Sequence, residues 1–221
     1  MIKITRTAKP NILKKNERKW LGKIQNALTG NIKDFDTAIN KYQHEEIKTK
    51  LIELFRGRCA YCESKITHVG FGHIEHFRPK AKLKYPLLAV KWTNLLLSCE
   101  RCNIIKSDQF PTPKLINPCI DNPNEHFLFD YDEHIGIANV LGITPRGKIT
   151  ESTLQLNRDD LIKHRSFYIK KLIVLASIYY ENNDAKILLD QAIDEDNSVS
   201  EYLAFAQTIK EKYMQISSSN E

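Results

Sequence analysis

Four of the five cysteines stand in two Cys-x-x-Cys pairs, Cys59/Cys62 and Cys99/Cys102, with 36 residues between them. Each pair sets two thiolates on one side of a tight turn, which is half of a tetrahedral zinc shell. Two pairs complete a closed four-sulfur site with no open position for chemistry, so structural Zn2+ on Cys59, Cys62, Cys99 and Cys102 is the expectation. A redox Cys-x-x-Cys needs only one pair, at a strand-to-helix junction in a βαβ setting. The fifth, Cys119, stands beside Pro118 without a partner and is expected as a small, partly buried residue.

The chain around these cysteines is of ordinary globular composition. Of its 221 residues 42% are hydrophobic and 27% charged, which excludes wholesale disorder. No apolar run reaches 18 residues; the best, Leu172 to Tyr180, is short and flanked by Lys170, Lys171 and Glu181. Met1 to Lys9 carries three cations and no apolar stretch, unlike a secretory leader, so a cytoplasmic location with reduced thiols is expected. Charge is unevenly spread. Residues 1–110 carry 22 Lys+Arg against 10 Asp+Glu, and residues 111–221 carry 11 against 17. The first half is therefore a candidate surface for a polyanion.

Three zones follow from the pattern. Residues 1–57 read as an N-terminal helical region: one helix around Trp20, Leu21, Ile24 and Leu28, then apolar positions over 34–56 with helical spacing in the second part, a helix stopped by Gly57. Residues 58–115 hold the chemistry. Residues 116–221 read as mostly helical after a short β-hairpin, Phe127 to Tyr131 and Ile135 to Ile143. Pro145-Arg146-Gly147 reads as a turn, followed by helices over 161–180, 185–193 and 199–214 and a frayed tail from Ser217.

Between and after the cysteine pairs lie two polar segments, Gly72-His73-Ile74-Glu75-His76-Phe77-Arg78-Pro79-Lys80 and Trp92-Thr93-Asn94-Leu95-Leu96-Leu97-Ser98-Cys99-Glu100-Arg101-Cys102-Asn103-Ile104-Ile105-Lys106. An acidic residue, a histidine, Asn-Leu and then CxxC-Asn-xx-Lys, in that order, resemble the HNH endonuclease motif over about 59–110. The stretch is most similar to the HNH proteins of Septu-type anti-phage systems and of ATPase–HNH retron effectors. Leu115-Ile116-Asn117-Pro118, Asp121-Asn122-Pro123 and Leu156-Asn157-Arg158 carry the likeness into the second half.

The resemblance implies an α+β fold, with a zinc-stapled ββα-metal core set between the N- and C-terminal helical regions. It implies an endonuclease hydrolysing DNA or tRNA, and an ABC-type ATPase subunit as partner. No GxxxxGK[ST] occurs here, so a nucleotide site would lie on that partner. His76 occupies the position of the general base. Glu75 and Asn103 offer hard oxygen ligands for Mg2+ or Mn2+, with Glu75 standing where many relatives have Asp. Asn94 matches the middle residue of the motif and is expected to brace the loop holding the base. Lys106, one helical turn past Asn103, is expected at the phosphate. Arg78, Lys80, Lys82 and Lys84 form a basic run able to track a nucleic-acid backbone.

Each residue also has a plainer reading. His76 can be a packed histidine, Glu75 a partner of Arg78 or Lys80, Asn103 a helix cap and Lys106 solvated surface. His73 is a second-layer group, an extra ligand or a packed strand residue. In a regular strand Glu75 and His76 would face opposite sides, so a bend or turn is expected there. A non-catalytic zinc module that binds nucleic acid or protein is the alternative; it accounts for the cysteines and the charge but not for Glu75, His76 and Asn103 together.

Overall fold

The computed structural model describes residues 1–30, 32–66, 70, 72–197 and 200–218, with side chains at 32, 33 and 213–218 excepted. Val199, His68 and the tail beyond 218 lie outside the described residues. Two compact units result. One comprises Ile4–Ala60 and Ile66–Thr112; the other comprises Met1–Lys3, Tyr61–Lys65 and Pro113–Glu221. The fold is α+β.

The first unit holds helices α1 (Asn11–Ala27), α2 (Ile32–Ile39) and α3 (Glu45–Leu54), with one 3-10 turn, Asn40–Tyr42, between α2 and α3. Strands β1 (His73–His76) and β2 (Leu95–Ser98) follow, then helix α4 (Glu100–Lys106). The strands pair antiparallel, His73 opposite Ser98 and His76 opposite Leu95. A two-stranded ribbon is marginal alone. Leu95, Leu96 and Leu97 are all fully buried, so both faces of β2 are covered. α3 packs on both strands, α4 on β1, and α1 on α3. Ile47 and Leu51 of α3 and Leu13 and Ile24 of α1 are likewise fully buried. The N-terminal helices thus complete the core that the ββα element lacks.

Polar ties hold these helices in place. His44 caps α3, its Nδ1 accepting from Glu46 N–H at 3.1 Å. Glu46 in turn accepts from the Ile12 amide at the start of α1, at 3.0 Å. Arg6 donates to the carbonyls of Trp92 (2.7 Å) and Leu95 (3.1 Å), and Trp92 Nε1 donates to Thr7 O at 2.9 Å. Gly57, at φ 68°, ends α3 by bonding back to Ile52 O at 2.9 Å.

The second unit pairs β3 (Phe127–Asp132) with β4 (Ile137–Gly142), Phe127 opposite Gly142. Helices α5 (Pro145–Thr153), α6 (Asp159–Ser177), α7 (Asn183–Ile193) and α8 (Leu203–Ser218) complete it. One expectation is corrected. Pro145-Arg146-Gly147 is the first turn of α5 and not a free turn. Thr144 caps it, its Oγ1 accepting from Gly147 N–H at 3.1 Å, and proline at the first helical position lacks only an amide that would be unpaired there. Gly147 is required by space, since a Cβ there would fall 2.1 Å from His126 O.

Two arginines explain the segments of the second half that resemble the HNH relatives. Arg146 forks onto Asp121 at 2.8 and 2.7 Å and reaches Lys114 O and Leu115 O. Buried Arg165 donates to Ala138 O, Leu156 O and Asn157 Oδ1, which fastens the hairpin to α6. Burial lowers its pKa to about 10, and it remains a cation at neutral pH. No helix among the described residues is long and apolar enough to cross a membrane.

Candidate functional site

The sulfurs of Cys59, Cys62, Cys99 and Cys102 lie within 4.8 Å of one another, and three of the four residues are buried. A tetrahedral ion with arms of about 2.3 Å needs sulfurs about 3.8 Å apart, so the cluster fits structural zinc. Cys99 is the N-cap of α4, and its Sγ accepts from Cys102 N–H at 3.4 Å. Among the described residues this is the one group of three or more His, Cys, Asp or Glu side chains close enough to share an ion.

The second feature is an open cleft of about 770 Å³. His73, Glu75 and His76 of β1 line it, with Pro79, Lys80 and Ala81 beyond the strand and Asn103 of α4. Four of the predicted site residues, Glu75, His76, Asn103 and Lys80, therefore share one wall system. The expected turn is present: β1 ends at His76, the chain bends at Phe77 and Arg78, and Glu75 and His76 both reach the cleft.

His76 is buried and its ring orientation is fixed. Nε2 lies 2.9 Å from Ala89 O, and a carbonyl only accepts, so Nε2 carries the proton and Nδ1 the free lone pair. Burial pushes the ring pKa down to about 4; the Ala89 carbonyl opposes this, and Lys80 and Lys106 add to it. The folded value lies below the ordinary one, so the ring stays neutral as pH falls from 7 and takes its proton only near pH 4. A neutral imidazole with an open lone pair can accept a proton.

Lys106 does not sit where a phosphate contact would need it. It is fully buried, outside the cleft lining, and its Nζ pairs with Glu75 Oε1 at 2.5 Å and donates to His76 O at 2.9 Å. That lysine is therefore neither solvated surface nor a phosphate contact; a buried ammonium needs both partners, and strand β1 supplies them. Glu75 pairs with Lys106. Asn94 also stands behind the cleft. Its Oδ1 accepts from Arg78 N–H at 2.8 Å and its Nδ2 donates to Arg78 O and Leu88 O, bracing the loop after the strand.

The basic run divides. Lys80 lines the cleft with its Nζ 5.5 Å over the Tyr42 ring. Arg78 lies over Tyr85 and Phe110, Lys82 over Phe35. Lys84 pairs with Asp108 at 2.7 Å. His73 is exposed at the cleft rim.

Tyr42 is the residue the motif did not announce. It comes from the 3-10 turn between α2 and α3, lines the cleft, and sets its ring edge-on to His76 at 4.4 Å between centroids. Gln43, Glu45 and Lys48 reach the cleft from the same region. Aromatic spacing inside a helical pattern reads as core, so nothing in the chain order ties Tyr42 to a histidine 34 positions on.

A two-stranded hairpin, a short helix, a thiolate cluster fit for zinc and a cleft bearing His76 and Asn103 define a ββα-metal module. The HNH endonuclease family model matches residues 59–109. A Septu protein PtuB of Bacillus mycoides (strain KBAB4) is 31% identical over 233 residues, covering 89% of this chain and 77% of that protein. A second Septu protein PtuB, of Bacillus thuringiensis, is 38% identical over 118 residues, 52% of this chain and 42% of its own length. A Septu protein PtuA of Bacillus mycoides (strain KBAB4) is 29% identical over 156 residues, 57% of this chain and 21% of that protein. The chain belongs to the PtuB family of Septu HNH proteins.

Two outcomes follow from the geometry. Elemental analysis of the purified chain should find one zinc, and Cys59→Ser or Cys102→Ser should lose it together with the cooperative unfolding transition, because such sites supply folding free energy. A zinc-free protein with a native transition would refute this. Lys106→Met removes the ammonium paired with the buried Glu75 carboxylate and should cost about 3–5 kcal/mol in urea unfolding, with Glu75→Gln added on top restoring part of the loss. A change below about 1 kcal/mol would show that the pair is not a buried one.

Proposed function

We propose that this chain is a divalent-metal-dependent endonuclease that hydrolyses phosphodiester bonds of DNA or tRNA in anti-phage defence, together with an ABC-type ATPase subunit. The observation that carries the reading is one cleft gathering neutral His76, Glu75 and Asn103. A non-catalytic zinc module has no need of that combination. The partner is supported by family membership and by the PtuA relative, a single polypeptide that carries a stretch similar to part of this chain.

The roles follow from the positions. Glu75 and Asn103 are the oxygen donors that would hold Mg2+ or Mn2+. Such an ion, when bound, supplies charge neutralisation at the scissile phosphate. His76 takes the proton of the attacking water on Nδ1, while the Ala89 carbonyl holds Nε2–H and keeps the ring in that tautomer. Lys106 holds the Glu75 carboxylate and the His76 carbonyl, and Asn94 holds the chain leaving the strand, so both position the site from behind. Lys80 faces the cleft and draws the phosphate in. Arg78 and Lys82 extend the cationic surface beside it.

The test is cleavage by the full chain with its ATPase partner and Mg2+ or Mn2+, on plasmid DNA and total tRNA side by side. His76→Ala should slow cleavage by about 10²–10⁴-fold with zinc content and nucleic-acid binding retained. Wild-type rates from this variant under every metal and partner condition would favour the binding-module reading instead.

A further inference from the structure

Pro79, Lys80 and Ala81 line the cleft, and the loop that runs on from them to Tyr85 carries an exposed apolar side chain. Leu83 is 97% exposed, the most exposed of the large hydrophobic side chains described. A lone exposed leucine is ordinary on a protein surface. This one stands on a segment anchored at both ends and through its middle. Asn94 clamps Arg78 from both sides, Tyr85 N–H donates to Pro79 O at 3.0 Å, and Lys84 N–H donates to Ala81 O at 2.8 Å. Lys84 Nζ is pinned at Asp108 and Lys82 Nζ lies over Phe35. The loop is therefore held out, and Leu83 contributes no burial to the fold in return.

Its surroundings point to one kind of ligand. Lys82 and Lys84 flank it, Lys80 and Arg78 precede it, and the unit that carries it has twenty Lys and Arg against nine Asp and Glu. Such a field attracts a polyanion. On a nucleic acid, the apolar surface available to a leucine is that of the bases. Reach is also set. Ala81 lines the cleft, and two residues span at most about 7 Å, or about two base steps at 3.4 Å each.

We infer that Leu83 is a wedge that presses into a base step beside the scissile phosphate, while the neighbouring cations hold the backbone. The inference rests on the nuclease reading above. Inserting an apolar side chain unstacks a step at a cost of a few kcal/mol, which is lower where the step is already unpaired. Leu83 therefore matters most on a fully paired substrate.

The experiment, run with the ATPase partner and Mg2+ or Mn2+, compares the full zinc-loaded chain with Leu83→Ala, whose near-complete exposure leaves folding unaffected. Substrates are a paired duplex and the same duplex with one unpaired base at the cleavage site, made in DNA and in RNA, with 2-aminopurine as the reporter of unstacking. Leu83→Ala should cut the paired duplex about 10-fold more slowly and the unpaired one less than about 3-fold more slowly. Under binding conditions with the His76→Ala chain, adding Leu83→Ala should abolish the 2-aminopurine brightening while affinity changes less than about 3-fold. Equal loss on both substrates, or no loss on either with the brightening intact, would overturn the wedge. Failure of the unsubstituted chain to cut any of the substrates would count against the nuclease reading, and the wedge would fall with it.

Discussion

A single buried ammonium organises the cleft. Lys106 has no access to water, and it is satisfied by the Glu75 carboxylate and the His76 carbonyl. Both partners belong to β1, and the lysine to the last turn of α4. Strand and helix are thereby locked in the register that puts Glu75, His76 and Asn103 on one cleft. A buried pair of this kind adds little net stability over a well-packed apolar contact, but removing one partner is expensive, which makes it a device for specifying geometry. The four sulfurs act on the same small element from its other end, where Cys99 begins α4 and caps it.

The ring of His76 is controlled from three sides: the Ala89 carbonyl selects the tautomer, Tyr42 covers the ring edge-on, and burial keeps it neutral. Two of these three controls lie outside the acidic-His segment of the motif, and Tyr42 lies outside the matched residues 59–109 altogether. The helices before the core are thus part of the site as well as part of the hydrophobic interior that two short strands cannot build alone.

Much of this was legible in the chain. The paired cysteines, the motif order and the charge asymmetry announce a zinc-fitting ββα module with a cationic surface, and apolar periodicity places α1, α6 and α7 to within a few residues, while the 34–56 stretch divides into α2 and α3 around the Asn40–Tyr42 turn. What escaped did so for identifiable reasons. Lys106 at helical spacing from Asn103 looks surface-directed, since sequence spacing places a residue on a helix face but not what covers that face. Pro145-Arg146-Gly147 carries turn residues that serve equally at a helix N-terminus once Thr144 caps it. Tyr42 meets His76 only through tertiary packing. Ala89 acts through its carbonyl, which every residue possesses, so side-chain chemistry cannot single it out.

The central claim is that this cleft, and not the thiolate cluster, is the place where a catalytic ion sits beside His76. Manganese binding to the zinc-loaded chain, followed by electron paramagnetic resonance, tests it directly. One Mn2+ per chain is expected in addition to zinc, lost on Asn103→Ala and retained on His76→Ala. Absence of a second ion, or an Mn2+ signal indifferent to Asn103→Ala, would contradict the account.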